Sequence, residues 1–169
     1  DRVDLLSPPG TAHARYVEFG WVADDPSVRV PDKETLWAVK SGTTVSKDAP
    51  VTLRWDNGKG LVFERTISLD DSFMFRIVQR VENHTGKPVT LHSYGFVSER
   101  GVPDSALRRG VVHQGPLGYI GGKLIQHGFS SMRGSEPETH EADSGWIGIT
   151  EKYGMVGLIP DQKDPITYR

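Results

Sequence analysis

The chain has 169 residues, 36% of them hydrophobic and 25% charged, and no cysteine. A single domain of that size buries roughly 70% of its unfolded surface without a staple, and the missing thiols exclude a disulfide-built miniprotein, thiolate metal ligands and a cysteine nucleophile while leaving the compartment open. Twenty basic against 22 acidic side chains give a formal charge of −2 with no Lys/Arg run, which excludes the phosphate-tracking surface that a nucleic-acid partner needs.

Nineteen glycines and eleven prolines lie throughout the chain and disfavour long helices, so the sequence reads as all-β with little helix. In chain order, strands are expected over Tyr16 to Val22, Leu36 to Val39 and Val51 to Trp55. Asp56-Asn57-Gly58-Lys59-Gly60 then has the composition and length of a hairpin connection into a strand from Leu61 to Leu69. Alternation places Leu61, Phe63, Ile67 and Leu69 on one side and Val62, Glu64, Thr66 and Ser68 on a solvated other side; Arg65 interrupts the apolar side. Asp70-Asp71-Ser72 is the next expected turn, and Phe73 to Glu82 the next strand, with Phe75, Ile77 and Val81 inward and Arg76, Arg80 and Glu82 outward.

Asn83 to Pro88 supplies residues that tolerate positive φ or preset a turn, so Val89 to Val97 is expected to return antiparallel beside the preceding strand as a meander. Val111 to His113, Tyr119 to Ile120 and Lys123 to Ile125 are further expected strands. Two polar stretches, Ser98 to Gly110 and Gln126 to Ser144, read as surface loops. Near the carboxyl end, Gly145 to Tyr153 reads as a strand buried on both faces, with Trp146 to one side and Ile147 and Ile149 to the other, and Met155 to Ile159 as a second short buried strand after a tight link. Pro160 removes the amide that would extend the second. With no internal repeat and no long linker, residues 1–169 are expected to form a single domain.

Six histidines, at 13, 84, 92, 113, 127 and 140, lack the i, i+4 spacing that sets two imidazoles on one helical face. No metal site and no cofactor follow. His92 lies in an expected strand on the side of Tyr94 and Phe96, and reads as a packed or edge histidine. His140-Glu141-Ala142-Asp143 reads as a solvated acidic loop. Gly118 to Gly122 precedes no convincing helix and carries no Lys-Ser/Thr, so neither a dinucleotide nor a phosphate cradle is indicated. No Gly-x-Ser-x-Gly elbow is present. Of the tryptophans at 21, 37, 55 and 146, three sit in strand patterns as core residues, and Trp37 is the one expected to be exposed. No catalytic residue is assigned.

Gly145-Trp146-Ile147-Gly148-Ile149-Thr150-Glu151-Lys152-Tyr153, followed by Leu158-Ile159-Pro160-Asp161-Gln162, resembles the large periplasmic domain of the YidC insertases in the YidC/Oxa1/Alb3 family. Tyr16 to Trp21 after Leu5-Leu6-Ser7-Pro8, the Trp55 to Leu61 hairpin, Phe75 to Gly86 and His113 to Gly118 extend the resemblance, in order, over nearly the whole chain. It implies a two-sheet antiparallel supersandwich, similar to galactose mutarotase and carbohydrate-binding folds. It also implies a periplasmic accessory domain, without enzymatic activity, of a bacterial inner-membrane insertase and chaperone. In that family polar segments enter lipid through a charged groove in the transmembrane core, so this domain would contact SecDF and SecYEG translocon components or nascent membrane-protein substrates.

No apolar run nears the roughly 20 residues that cross a bilayer, so the piece itself is expected to be soluble and the parent membrane-embedded. A start at Asp1 without Met and an end at Arg169 lead us to expect an incomplete internal fragment lacking flanking strands. The competing reading is a carbohydrate-binding or mutarotase-like module, in which His92 or His113 would work with Glu99 and Trp37, His92 and His113 would contact ligand in a groove. Fold analogy alone does not carry catalytic residues.

Overall fold

The computed structural model describes residues 6–12, 14–100, 113–129, 131–132, 136–152 and 154–169. Every regular element among them is a strand: β1 (Arg15–Ala23), β2 (Ala38–Ser41), β3 (Val51–Asp56), β4 (Leu61–Leu69), β5 (Phe75–Asn83), β6 (Leu91–Glu99), β7 (Gly115–Ile120), β8 (Lys123–Gln126), β9 (His140–Ala142), β10 (Gly145–Glu151), β11 (Gly154–Leu158) and β12 (Ile166–Tyr168). They form two four-stranded sheets, ordered β2-β3-β4-β5 and β11-β10-β7-β8, and two strand pairs, β1-β6 and β12-β9. The antiparallel all-β class is therefore the one expected from the glycine, proline and alternation pattern. The chain divides into two compact units, a central one of Phe19–Tyr94 and a terminal one of Asp1–Glu18 with Gly95–Arg169.

In the central unit the β3-β4 hairpin and its register match the sequence expectation, with Trp55 opposite Phe63 and Val51 opposite Ile67. Asn57 closes it. Its side-chain oxygen accepts the amides of Lys59 at 2.8 Å and Leu61 at 3.1 Å, and its amide group donates to the Arg29 carbonyl at 3.0 Å. Phe63 is fully buried with Leu61 and Trp21, and Val28, Val30, Trp37, Trp55, Val81, Val89 and Leu91 pack around them. The Phe63 ring lies 5.1 Å from Trp21 edge-on and 5.6 Å from Trp55, within the range of favourable aromatic pairs.

Three expectations are corrected here. Val62 and Glu64 are buried, not solvated: for Glu64 the long side chains of Lys40 and Arg54 close over that side of β4. Phe75, expected inward, is 67% exposed, because it sits opposite Leu69 at the last pair of the β4-β5 ladder and beyond the aromatic core. The meander does not form, since β6 pairs with β1 and leaves β5 as a sheet edge. After β5 the His84 amide donates to the Gly60 carbonyl at 2.7 Å, which carries the chain over the β3-β4 turn. The Thr90 carbonyl then accepts from Asp24 just after β1.

In the terminal unit β10 is the middle of three paired strands, with Ile147 opposite Leu158 on β11 and Trp146 opposite Tyr119 on β7. Tyr119 to Ile120 and Lys123 to Ile125 fall within β7 and β8 as expected. Strand β9 lies inside the stretch read as a loop, and its ladder with β12 places His140 opposite Tyr168, which is buried. Residues 111 and 112 of the expected Val111 to His113 strand, and residues 101–110 of the preceding loop, lie outside the described residues.

Candidate functional site

Arg65 explains how a charged residue occupies the inward side of β4. Its guanidinium donates to the Phe19 carbonyl of β1 and lies 5.8 Å from the centroid of the Trp21 ring and 5.0 Å from that of Trp37, where the ring faces attract a cation. Gln79, directly opposite Arg65 on β5, donates to the Gly20 carbonyl at 3.0 Å. Two polar side chains on one face thus satisfy consecutive carbonyls of β1 that would otherwise be costly to bury. Trp37 is half-buried, with its ring stacked on Trp21 at 6.4 Å, so it is not the exposed aromatic that its charged neighbours Lys33 and Glu34 suggested. Trp21 is buried and Trp55 and Trp146 are half-buried; among the described residues the exposed aromatics are Phe73, Phe75, Tyr94 and Tyr119.

His92, exposed on β6, has its Nε2 2.8 Å from Asp24 Oδ1. It is an edge histidine. His113 is half-buried, with Nε2 3.4 Å from the Pro116 carbonyl, and its own carbonyl accepts from the Thr150 hydroxyl at 3.2 Å. Glu99 is held by Arg15, whose Nε is 3.3 Å from Glu99 Oε2 and whose other arm reaches Glu151. His92 belongs to the central unit, His113 and Glu99 to the terminal one. Glu138 is shared by His127 at 3.2 Å and His140 at 3.4 Å. No cluster of three or more His, Cys, Asp or Glu with metal-holding geometry occurs among the described residues. The residues present are engaged in pairwise contacts suited to holding structure.

Glu64 is the buried carboxylate that the alternation pattern set in solvent. The Lys40 ammonium that bonds it, with Arg80 and Arg54 nearby, holds its carboxyl below the ordinary 4.5 against the opposing effect of burial. The Arg54 Nε lies 3.9 Å away, and Arg54 and Arg80 are its two cross-strand neighbours.

The other feature that alternation did not place is the β4-β5 turn and the strand after it. Asp70 accepts the amides of Ser72 at 2.8 Å and Met74 at 2.9 Å on its carboxylate, and this holds Phe73 at φ 61°, a left-handed conformation rare for an aromatic. Phe73 is 78% exposed, Met74 49% and Val78 50%. The tight Asp-centred turn was legible in Asp70-Asp71-Ser72; that Phe73 and Met74 belong to it, so that the strand starts at Phe75, was not.

The carboxyl-terminal signature is itself structural. Gly145 has φ 148°, and its backbone is clamped by Gln162, which accepts from the Gly145 amide at 2.7 Å and donates to its carbonyl at 3.1 Å. Gly148 faces Gly157 across the ladder so closely that a Cβ there would come within 2.5 Å of the Val156 carbonyl oxygen. The motif therefore records backbone packing, and its glutamine is a clamp and not a reactive group.

The family profile described as the YidC periplasmic domain matches residues 1–169. Similar curated proteins include the "Membrane protein insertase YidC" of Nitrobacter hamburgensis, 39% identical over 161 residues that cover 94% of this chain and 26% of that protein. The protein of the same name from Jannaschia sp. is 40% identical over 171 residues, covering 95% and 27%. That from Methylorubrum extorquens is 40% identical over 176 residues, covering 98% and 28%. The chain thus spans about a quarter of the length of these relatives.

Proposed function

This chain belongs to the family of YidC periplasmic domains, and from that premise we propose that it acts as an accessory domain of a membrane-protein insertase at the periplasmic face of the bacterial inner membrane. Its work is done by contact and not by bond chemistry. It aids insertion and folding of membrane proteins by docking SecDF and SecYEG translocon components or by holding extended substrate segments. The family match over the whole chain is the observation that carries this reading. Support comes from the state of the residues an enzyme would need: the Glu99 carboxylate is engaged by Arg15, and His92 is paired with Asp24 on an exposed strand. Trp37, the aromatic best suited by sequence to stack on a sugar, is instead stacked on Trp21. No helix among the described residues is long and apolar enough to cross a membrane.

The test is deletion of residues 1–169 from the full-length protein, followed by measurement of the insertion of a substrate that depends on it. Insertion that slows but persists is expected. Complete loss with a correctly assembled transmembrane core would make this domain part of the insertion machinery proper, and unchanged insertion would reduce it to a spacer.

A further inference from the structure

We propose that the outer edge of β5 pairs antiparallel with the same strand of a second copy of this chain, centred on Gln79. Among the described residues nothing pairs with that edge, and at nine residues it is longer than the other outer strands of the four-stranded sheets, which have four, four and five. An unpaired strand edge is a row of open donors and acceptors. Such edges are ordinarily blunted by shortness, bulges or inward charges; β2, at the other edge of the same sheet, is four residues long and its register shifts between Val39 and Ser41. β5 has neither protection. It begins with exposed Phe75 and carries exposed Val78.

The sequence Phe75-Arg76-Ile77-Val78-Gln79-Arg80-Val81-Glu82-Asn83 is complementary to itself in one register. A two-fold axis through Gln79 sets Arg76 opposite Glu82 of the second copy twice, and Ile77 opposite Val81 twice, with like faces of the two sheets on the same side. Moving the centre to Val78 sets Arg76 opposite Arg80, and moving it to Arg80 sets that arginine opposite its own copy. Charge therefore selects the Gln79 register and opposes its neighbours. Within the chain the Glu82 carboxylate has Arg80 at 3.3 Å on one oxygen and His84 at 3.6 Å on the other, and Arg76 of the second copy is the further cation that this register brings to it. The result is a continuous eight-stranded sheet made of two four-stranded ones.

This pairing goes beyond the accessory role above, and its test reads no insertion activity, so either can fail alone. In the full-length protein, freed of any other cysteine and kept in membrane vesicles, Arg76→Cys is co-expressed with a differently tagged Glu82→Cys. Opposed residues lie about 4.5–5.5 Å apart between Cα atoms, inside the range a disulfide spans, whereas the two positions in one strand are about 20 Å apart and cannot join. Oxidation is expected to link the two tags, and neither variant alone should link to itself. No link, or equal self-linking by each single variant, overturns the register; no link is also the result if another part of the parent chain occupies the edge. As a second arm, Arg76→Glu and Glu82→Arg should each weaken self-association about tenfold, and the double exchange should restore it to within about twofold. A double variant as weak as the singles overturns the proposal even if all variants fold.

Discussion

Residues 64 and 65 stand next to each other on β4, and both are charged where an apolar strand is crossing a core. Their solutions differ. Arg65 donates from one guanidinium nitrogen to a backbone carbonyl 46 residues earlier, while Glu64 is covered by cations from β2, β3 and β5. Because the Glu64 carboxyl is held below 4.5 in the folded chain, its contribution to stability is fully present above that pH and is lost as pH falls through the lowered folded value. Glu64→Gln should therefore lower the melting temperature at pH 7, and the gap to the unaltered chain should close as the pH falls from 4.5 through the lowered folded value. A gap that is constant with pH would show that the loss comes from packing and not from the carboxylate. Alternation could register that Arg65 interrupts an apolar row, yet its acceptor lies on a strand whose position over the sheet no local pattern encodes. Likewise Lys40, Arg54 and Arg80 are 24, 10 and 16 positions from Glu64 in the sequence, so nothing local announced that the acidic residue would be buried.

Turns with side-chain-specific chemistry were readable, and long-range pairings were not. The β3-β4 hairpin came from Asp56 to Gly60 because asparagine and glycine there satisfy the turn within itself. Asn57→Ala removes three hydrogen bonds from a residue 7% exposed and should cost about 2–3 kcal/mol of unfolding free energy, measured by denaturant titration. A loss under about 0.5 kcal/mol would contradict this account of the turn. The Asn83 to Pro88 turn was equally visible, but its residues bond one another and the β3-β4 turn, and do not fold β6 back along β5. Asn83 accepts from Thr85 and donates to Lys87, which makes a bend without fixing the partner of the next strand. At the other end of the chain, Gly148 sits where a Cβ would come within 2.5 Å of the Val156 carbonyl oxygen on β11. Gly148→Ala should destabilise the terminal unit by about 1–3 kcal/mol, because the atom it meets is backbone and cannot swing aside. Trp146 fluorescence on unfolding reads that change two residues away, and an unchanged midpoint would show that the signature glycine is not needed for packing.

For the whole molecule, the all-β class and most strands followed from composition and periodicity, while the family followed from the ordered signatures. The division into two compact units was not legible, since no composition shift marks Phe19 or Tyr94: the chain crosses from one unit to the other inside β1 and again inside β6. The exposed row Phe73, Met74 and Phe75 also escaped, because a run of large apolar residues reads as core unless the layer that would cover it is known. Trp37, His92 and His113 were named as possible groove or ligand contacts, and in the structure Trp37 stacks on Trp21, His92 pairs with Asp24 and His113 lies beside the Pro116 carbonyl. Docking is the function proposed above, and it has a direct measurement. Full-length protein is purified from membranes with and without residues 1–169, and the SecDF and SecYEG recovered with it are quantified against the amount of intact transmembrane core. The account predicts that recovery falls several-fold on deletion; recovery that is unchanged, together with unchanged substrate insertion, would contradict it.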